Sequence, residues 1–129
     1  MKHEEHDIQA AIVAWFDLRY AKEKYDLIAI PNGGARSAVT GARLKAEGVR
    51  RGVPDLFLAQ PRMLWERPGC DSAVQFYAGL WLEIKTPKGR TTPEQEAFMD
   101  RQSARGYCCR VARSVDEGIK IIETYLGIK

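Results

Sequence analysis

Gly79-Leu80-Trp81-Leu82-Glu83-Ile84-Lys85-Thr86-Pro87-Lys88-Gly89 is the stretch on which the fold turns. It reads as an apolar strand that ends in a basic turn broken by proline. Side chains on a strand alternate between faces, so Leu80, Leu82 and Ile84 share one side while Trp81, Glu83 and Lys85 share the other. The apolar triplet belongs against a core. A carboxylate and an ammonium two residues apart on such a strand cost desolvation energy unless something pairs or uses them. The rest of the chain is therefore read for groups that join them.

Upstream, Val53-Pro54-Asp55-Leu56-Phe57-Leu58-Ala59 reads as another strand, opened by Pro54, which suits the first position of such an element. Alternation puts Asp55 with Phe57 and Leu56 with Leu58. Asp55 thus enters the sheet near its beginning and needs a partner. Tyr25 to Ile30 reads as a short strand stopped by Pro31, followed by an Asn32-Gly33-Gly34 turn. That turn lacks the Gly-Lys-Ser/Thr ending of a phosphate-cradling loop. Ile8, Ile12, Phe16 and Tyr20, widened by Val13 and Trp15, predict an amphipathic helix from about Glu4 to Lys24. Glu5 falls within roughly 20° of Ile12 and Phe16 on the helical wheel, at the end of the buried face. It reads equally as an acid that complements the helix dipole.

Ser37 can cap a short helix from Ala38 to about Glu47, with Gly48 as its stop. Arg36, Arg43, Lys45, Arg50 and Arg51 surround it, opposed by Glu47. They read as a solvated face or as a surface that contacts phosphates independently of sequence. Lys88 and Arg90, directly after the opening strand, read as further phosphate contacts. Gln60 to Val74 has no clean period and is expected to be a connection between antiparallel strands. Phe76 to Lys85 is expected to be one continuous strand, with Gly79 marking a bulge or a close backbone approach.

Thr92-Pro93-Glu94-Gln95 is a helix start, with Thr92 as cap and Gln95 at the capping-box position; the helix runs to about Ala104 and stops at Gly106. Tyr107 to Ala112 reads as a strand. Ser114 with Glu117 forms a second capping box before a helix marked by Val115, Ile119, Ile122 and Leu126. This order predicts an α/β fold, helices flanking a mixed central sheet, in a single domain over residues 1–129.

Composition narrows the class. With 129 residues, 45% hydrophobic and 29% charged, the chain fits an ordinary globular domain. No apolar run approaches ~18 residues, and no charged-then-apolar leader is read at the N-terminus. Three cysteines make no disulfide framework and, with His3 and His6 alone, no zinc cluster. A cytoplasmic protein is expected. The net charge of +3 permits a polyanionic partner without demanding one.

A lone Glu-x-Lys is weak evidence, since both residue types are common. The combination is more informative. Asp55, Glu83 and Glu5 can converge at one end of the sheet, and a hard divalent cation such as Mg²⁺ takes oxygen ligands of this kind. Without a cation the acids repel, and at least one pKa should rise. Lys85 can offset that charge, position a water and stabilise charge that develops on phosphorus.

Pro54-Asp55 followed by Glu83-Ile84-Lys85 resembles the PD-(D/E)XK nuclease superfamily. Closer still, Glu5-x-x-Ile8-Gln9, Asn32-Gly33-Gly34, Gly52-x-Pro54-Asp55, Glu83-x-Lys85-Thr86-Pro87-x-Gly89 and Thr92-Pro93-Glu94-Gln95 resemble the VRR-NUC branch, the virus-type replication-repair nucleases. The resemblance implies a restriction-endonuclease-like core and a Mg²⁺- or Mn²⁺-dependent endonuclease acting on DNA. It implies Glu5, Asp55, Glu83 and the backbone carbonyl of Ile84 as metal ligands. Asp55, Glu83 and Lys85 would be catalytic, with Gln95 supporting the site. Arg36, Arg43, Arg50, Arg51, Lys88 and Arg90 are the expected DNA contacts. Similarity to small, stand-alone phage-type members implies a homodimer that cuts branched DNA such as Holliday junctions or flaps, in replication, recombination or repair. The Gln60–Val74 segment matches no part of the pattern. The competing reading is a catalytically silent accessory module that uses the nuclease fold only to bind DNA.

Overall fold

The structure, a computed structural model, describes residues 2–31, 38–65 and 74–127. Helix α1 (Lys2–Arg19) leads through a 3-10 turn (Ala21–Asp26) into β1 (Leu27–Ala29), then α2 (Ala38–Ala46) and β2 (Leu56–Leu58). A hairpin of β3 (Arg62–Trp65) and β4 (Val74–Tyr77) precedes β5 (Leu80–Ile84), α3 (Pro93–Ala104), β6 (Cys108–Ala112) and α4 (Val115–Tyr125). The main sheet has the order β1-β2-β5-β6. β1, β2 and β5 run antiparallel in turn, whereas β5 and β6 are parallel, so the sheet is mixed as expected.

The alternation read along the opening stretch sets the layers. Leu80, Leu82 and Ile84 join Leu56 and Leu58 in a buried cluster with Ile8, Ile12 and Phe16 of α1 and Ile122 and Tyr125 of α4. Each large apolar side chain buried in this way contributes roughly 1.5–3 kcal/mol. The reverse face carries Phe57, Trp81 and Tyr107, against which α3 lays Phe98. Phe57 and Trp81 are register partners whose ring centroids lie 4.3 Å apart. The charged pair of β5 thus continues an aromatic row beneath α3.

Three expected boundaries are corrected. The first helix ends at Arg19 rather than Lys24, because its apolar stripe ends at Tyr20 and no further burial supports another turn. Tyr25 consequently lies in the 3-10 turn, 84% exposed, and not in a strand. The Gln60–Val74 connection contains β3 and the start of β4, paired from Arg62↔Tyr77 to Trp65↔Val74; residues 66–73 lie outside the described residues. Gln60 is tied down at the hairpin's root: its amide donates to Asp26 and Glu23, and its carbonyl accepts from the Tyr125 hydroxyl.

The third correction concerns Phe76 to Lys85, which is two strands separated at Ala78–Gly79. Gly79 is the close approach expected there, since a Cβ on it would stand 2.7 Å from the Phe57 ring. The later elements form close to their expected positions, and Thr92 and Gln95 exchange both bonds of the capping box. The second box is only half made. Ser114 Oγ accepts from the Glu117 N–H, but the Glu117 carboxylate accepts from the Arg113 N–H. Asn32-Gly33-Gly34, Arg36 and Ser37 lie outside the described residues. Among the described residues no helix is long and apolar enough to cross a membrane.

Candidate active site

Glu83 and Lys85 are buried, 2% and 8% exposed, despite their charge. They lie at the end of β5, beside the approach to β2. That approach depends on Gly52, whose φ of +85° and close packing exclude a side chain; a Cβ there would be 2.5 Å from the Glu94 carbonyl oxygen. Gly52 lets the chain lie on the start of α3, and buried Pro54 then delivers Asp55 just before β2 begins. Asp55 Oδ2 accepts from the Ile84 N–H at 2.8 Å, which fixes the first acid to the strand that bears the second.

Glu83 Oε2 accepts from Gln95 Nε2 at 2.9 Å and stands 3.3 Å from Lys85 Nζ. Gln95 makes contacts on both sides. Its Oε1 and backbone N–H complete the cap with Thr92, while its Nε2 orients Glu83. Glu83 Oε1 is buried with no hydrogen-bond partner. A buried carboxylate oxygen without a donor is costly and signals a missing positive group.

The electrostatics agree with that geometry. Burial and the neighbouring Asp55 carboxylate push the Glu83 pKa up to about 7, against the opposing pull of Lys85. Burial also raises Asp55, offset by the Ile84 N–H, and the Glu5 carboxylate raises both acids further. Two crowded acids and an orphaned oxygen fit a divalent cation. Glu5 is half-buried on α1, whereas Glu4 is exposed, as the helical wheel placed them. However, among the described residues no three His, Cys, Asp or Glu side chains are gathered into a ready metal cluster. Glu5 acts on the Asp55–Glu83 pair through its charge.

Around this centre, Arg43, Arg50, Arg51, Lys88 and Arg90 are all exposed; Arg36 falls outside the described residues. Arg50 donates to the Lys45 carbonyl at 3.1 Å and so closes the end of α2. One residue that sequence reasoning missed is Arg113. Its Nη1 donates to the carbonyls of Thr86 and Gly89, holding the turn that carries Lys88. Only the parallel pairing of β5 with β6 brings it there, since Ile84 lies opposite Ala112. No local motif announces that contact.

A mixed sheet with an acid entering one strand and Glu-x-Lys closing its neighbour is the arrangement of PD-(D/E)XK-type nucleases. The family model of the VRR-NUC domain matches residues 1–116, and the chain belongs to that family. It is also similar to a solved structure described as a VRR_NUC domain protein. That likeness has 25% sequence identity and a TM-score of 0.75, over 96% of this chain and 88% of the other. No curated protein matches. Membership implies a nuclease with DNA as substrate, in a family that is generally dependent on divalent metal.

Proposed function

We propose that the chain is a Mg²⁺- or Mn²⁺-dependent endodeoxyribonuclease that hydrolyses phosphodiesters in branched DNA. The observation that carries this reading is Glu83, a buried carboxylate held by Gln95 and Lys85 with its second oxygen unpartnered. Asp55 and Glu83 would hold the cation, joined by Glu5 and the Ile84 carbonyl on the strength of the family pattern. When bound, the cation supplies Lewis-acid stabilisation of the charge that develops on the phosphoryl oxygens.

The chain's own residues do the rest. Lys85 positions the attacking water and neutralises developing negative charge. Water oxygen bonds to phosphorus and releases a proton to solvent, the P–O bond to the leaving oxygen breaks, and that oxygen takes up a proton from solvent. Gln95 keeps Glu83 in one rotamer throughout. Arg43, Arg50, Arg51, Lys88 and Arg90, with Arg36, bind backbone phosphates and give affinity that falls with salt.

One active site makes one nick, so paired cuts across a junction call for two copies; a two-fold homodimer is the simplest arrangement. The setting that goes with this chemistry is the cytoplasm of a bacterial or phage-infected cell, and residues 1–129 act as one nuclease domain. The test is cleavage of labelled duplex, flap and four-way-junction DNA with Mg²⁺, Mn²⁺ or EDTA, beside sedimentation of the protein. The proposal expects metal-dependent cleavage strongest on branched substrates, by a dimer. Binding that is indifferent to EDTA, with no cleavage of any substrate, would establish the silent accessory module instead.

A further inference from the structure

Beside the active site, a cavity of about 500 Å³ opens between the end of β1, the turn after α2 and the aromatic face beneath α3. Its walls adjoin both acids in sequence. Val53 lies two residues before Asp55, and Trp81 lies two before Glu83 on the same face of β5. The aromatic side is formed by Trp81 and Phe98, whose rings meet edge to face. Three polar side chains, Arg50, Gln102 and Glu47, line this otherwise apolar space. Arg50 stands at its margin, its guanidinium steadied by the Lys45 carbonyl. Gln102 accepts from Trp81 Nε1 through Oε1, so its Nε2 protons are directed elsewhere.

We propose that this cavity receives one unpaired nucleobase of the DNA substrate, extruded next to the scissile phosphate. The proposal rests on the nuclease reading and narrows its substrate to DNA with an unpaired nucleotide at the cut site. Three observations select a nucleobase. A flat π-system suits an aromatic wall that tolerates any base. An amide held in one orientation supplies donors to a base edge, as polar groups placed in an apolar pocket generally do. Arg50 lines the cavity, exposed Arg51 follows it in the chain, and Arg43 and Lys45 lie on the adjoining helix, so the phosphates that flank an inserted base meet positive charge on leaving the cavity. Glu47 is the one acid among the described residues that line it and can accept from an exocyclic amine. A paired base keeps its edge inside the duplex, so a regular helix gains nothing from this pocket; a flap, gap or junction gives one up at low cost.

The test measures binding in EDTA, where metal-dependent cleavage plays no part. A duplex with a single-stranded arm is compared with versions that carry one abasic nucleotide at successive positions across the branch. The full chain should lose about tenfold in affinity at one position and little elsewhere, the scale of one base on an aromatic surface. Gln102→Glu keeps the acceptor for Trp81 and replaces the amide donors by an acid. Val49→Trp, at the rim, fills the space. Val49→Trp should bind intact and abasic arms alike, near the abasic affinity of the parent, and Gln102→Glu should narrow the difference between them. Circular dichroism and thermal melting confirm that each variant folds; should Val49→Trp fail to fold, Gln102→Glu decides. Equal affinity for intact and abasic arms at every position would overturn the proposal, as would full base dependence in Gln102→Glu. Base dependence in a protein that cleaves nothing with Mg²⁺ would retain the pocket and remove the nuclease reading.

Discussion

Glu83 concentrates the chemistry of the molecule in one carboxyl group. Its pKa of about 7 lies above the ordinary 4.5, so the folded state holds the proton more tightly than the unfolded chain. The stability it contributes is present in full below the ordinary value and is lost as pH rises through about 7. The metal-free protein is therefore expected to melt at falling temperature between about pH 5 and pH 8, with Glu83 accounting for on the order of 3 kcal/mol at most. Asp55, also raised, adds in the same direction. Glu83→Gln should flatten that slope, and Mg²⁺ added at pH 8 should recover the lost stability in the parent protein alone. Melting that is flat or rises over this range contradicts the assignment. Gln95→Glu separates two functions of one residue. Glutamate serves equally well in a capping box, so the melting temperature should hardly change. A second carboxylate against Glu83 should nevertheless cut cleavage by about 10–100-fold. An active Gln95→Glu protein would mean that the Gln95–Glu83 bond plays no part in catalysis.

At the scale of elements, the site depends on two placements that bring distant segments together. Gly52 allows the approach to β2 to lie on the start of α3, and Gly52→Ala should destabilise the fold by about 2 kcal/mol, through a strained φ and a clash with the Glu94 backbone. Chemical denaturation measures this directly; an unchanged midpoint would refute the close approach. Arg113 holds the Thr86–Gly89 turn by two carbonyls. Arg113→Ala should speed amide exchange across that turn and raise KM for DNA more than it lowers kcat, with partial recovery in Arg113→Lys. A loss confined to kcat would indicate another role. These elements also show how far sequence patterns reach. Caps and apolar stripes located α2, α3 and α4 because those signals are local. The hairpin has no such signal, because β3 (Arg62–Trp65) is four residues long and carries no clean alternation, and Phe76–Tyr77 flows into β5 without a breaker other than Gly79.

Across the whole molecule, the sheet order places Asp55, at the entry to β2, beside Glu83 and Lys85 at the end of β5. Alternation alone was enough to put Glu83 and Lys85 on one face and to mark Asp55 as an acid in need of a partner. The Ile84 N–H that partners Asp55, the Gln95 bridge and the Arg113 clamp are tertiary contacts that no spacing encodes. Glu5, placed by the helical wheel at the end of the buried face of α1, adds its charge to the pair. The central claim is that Asp55, Glu83 and Lys85 form one metal-dependent hydrolytic centre. Its most direct test is cleavage of a labelled four-way junction in Mg²⁺ by the parent protein and by Asp55→Ala, Glu83→Ala and Lys85→Ala, purified in parallel and confirmed to be folded and DNA-binding. The parent should cleave, and EDTA and each substitution should abolish that cleavage. Full Mg²⁺-dependent cleavage by Glu83→Ala, with contaminating nuclease excluded, would contradict the central claim.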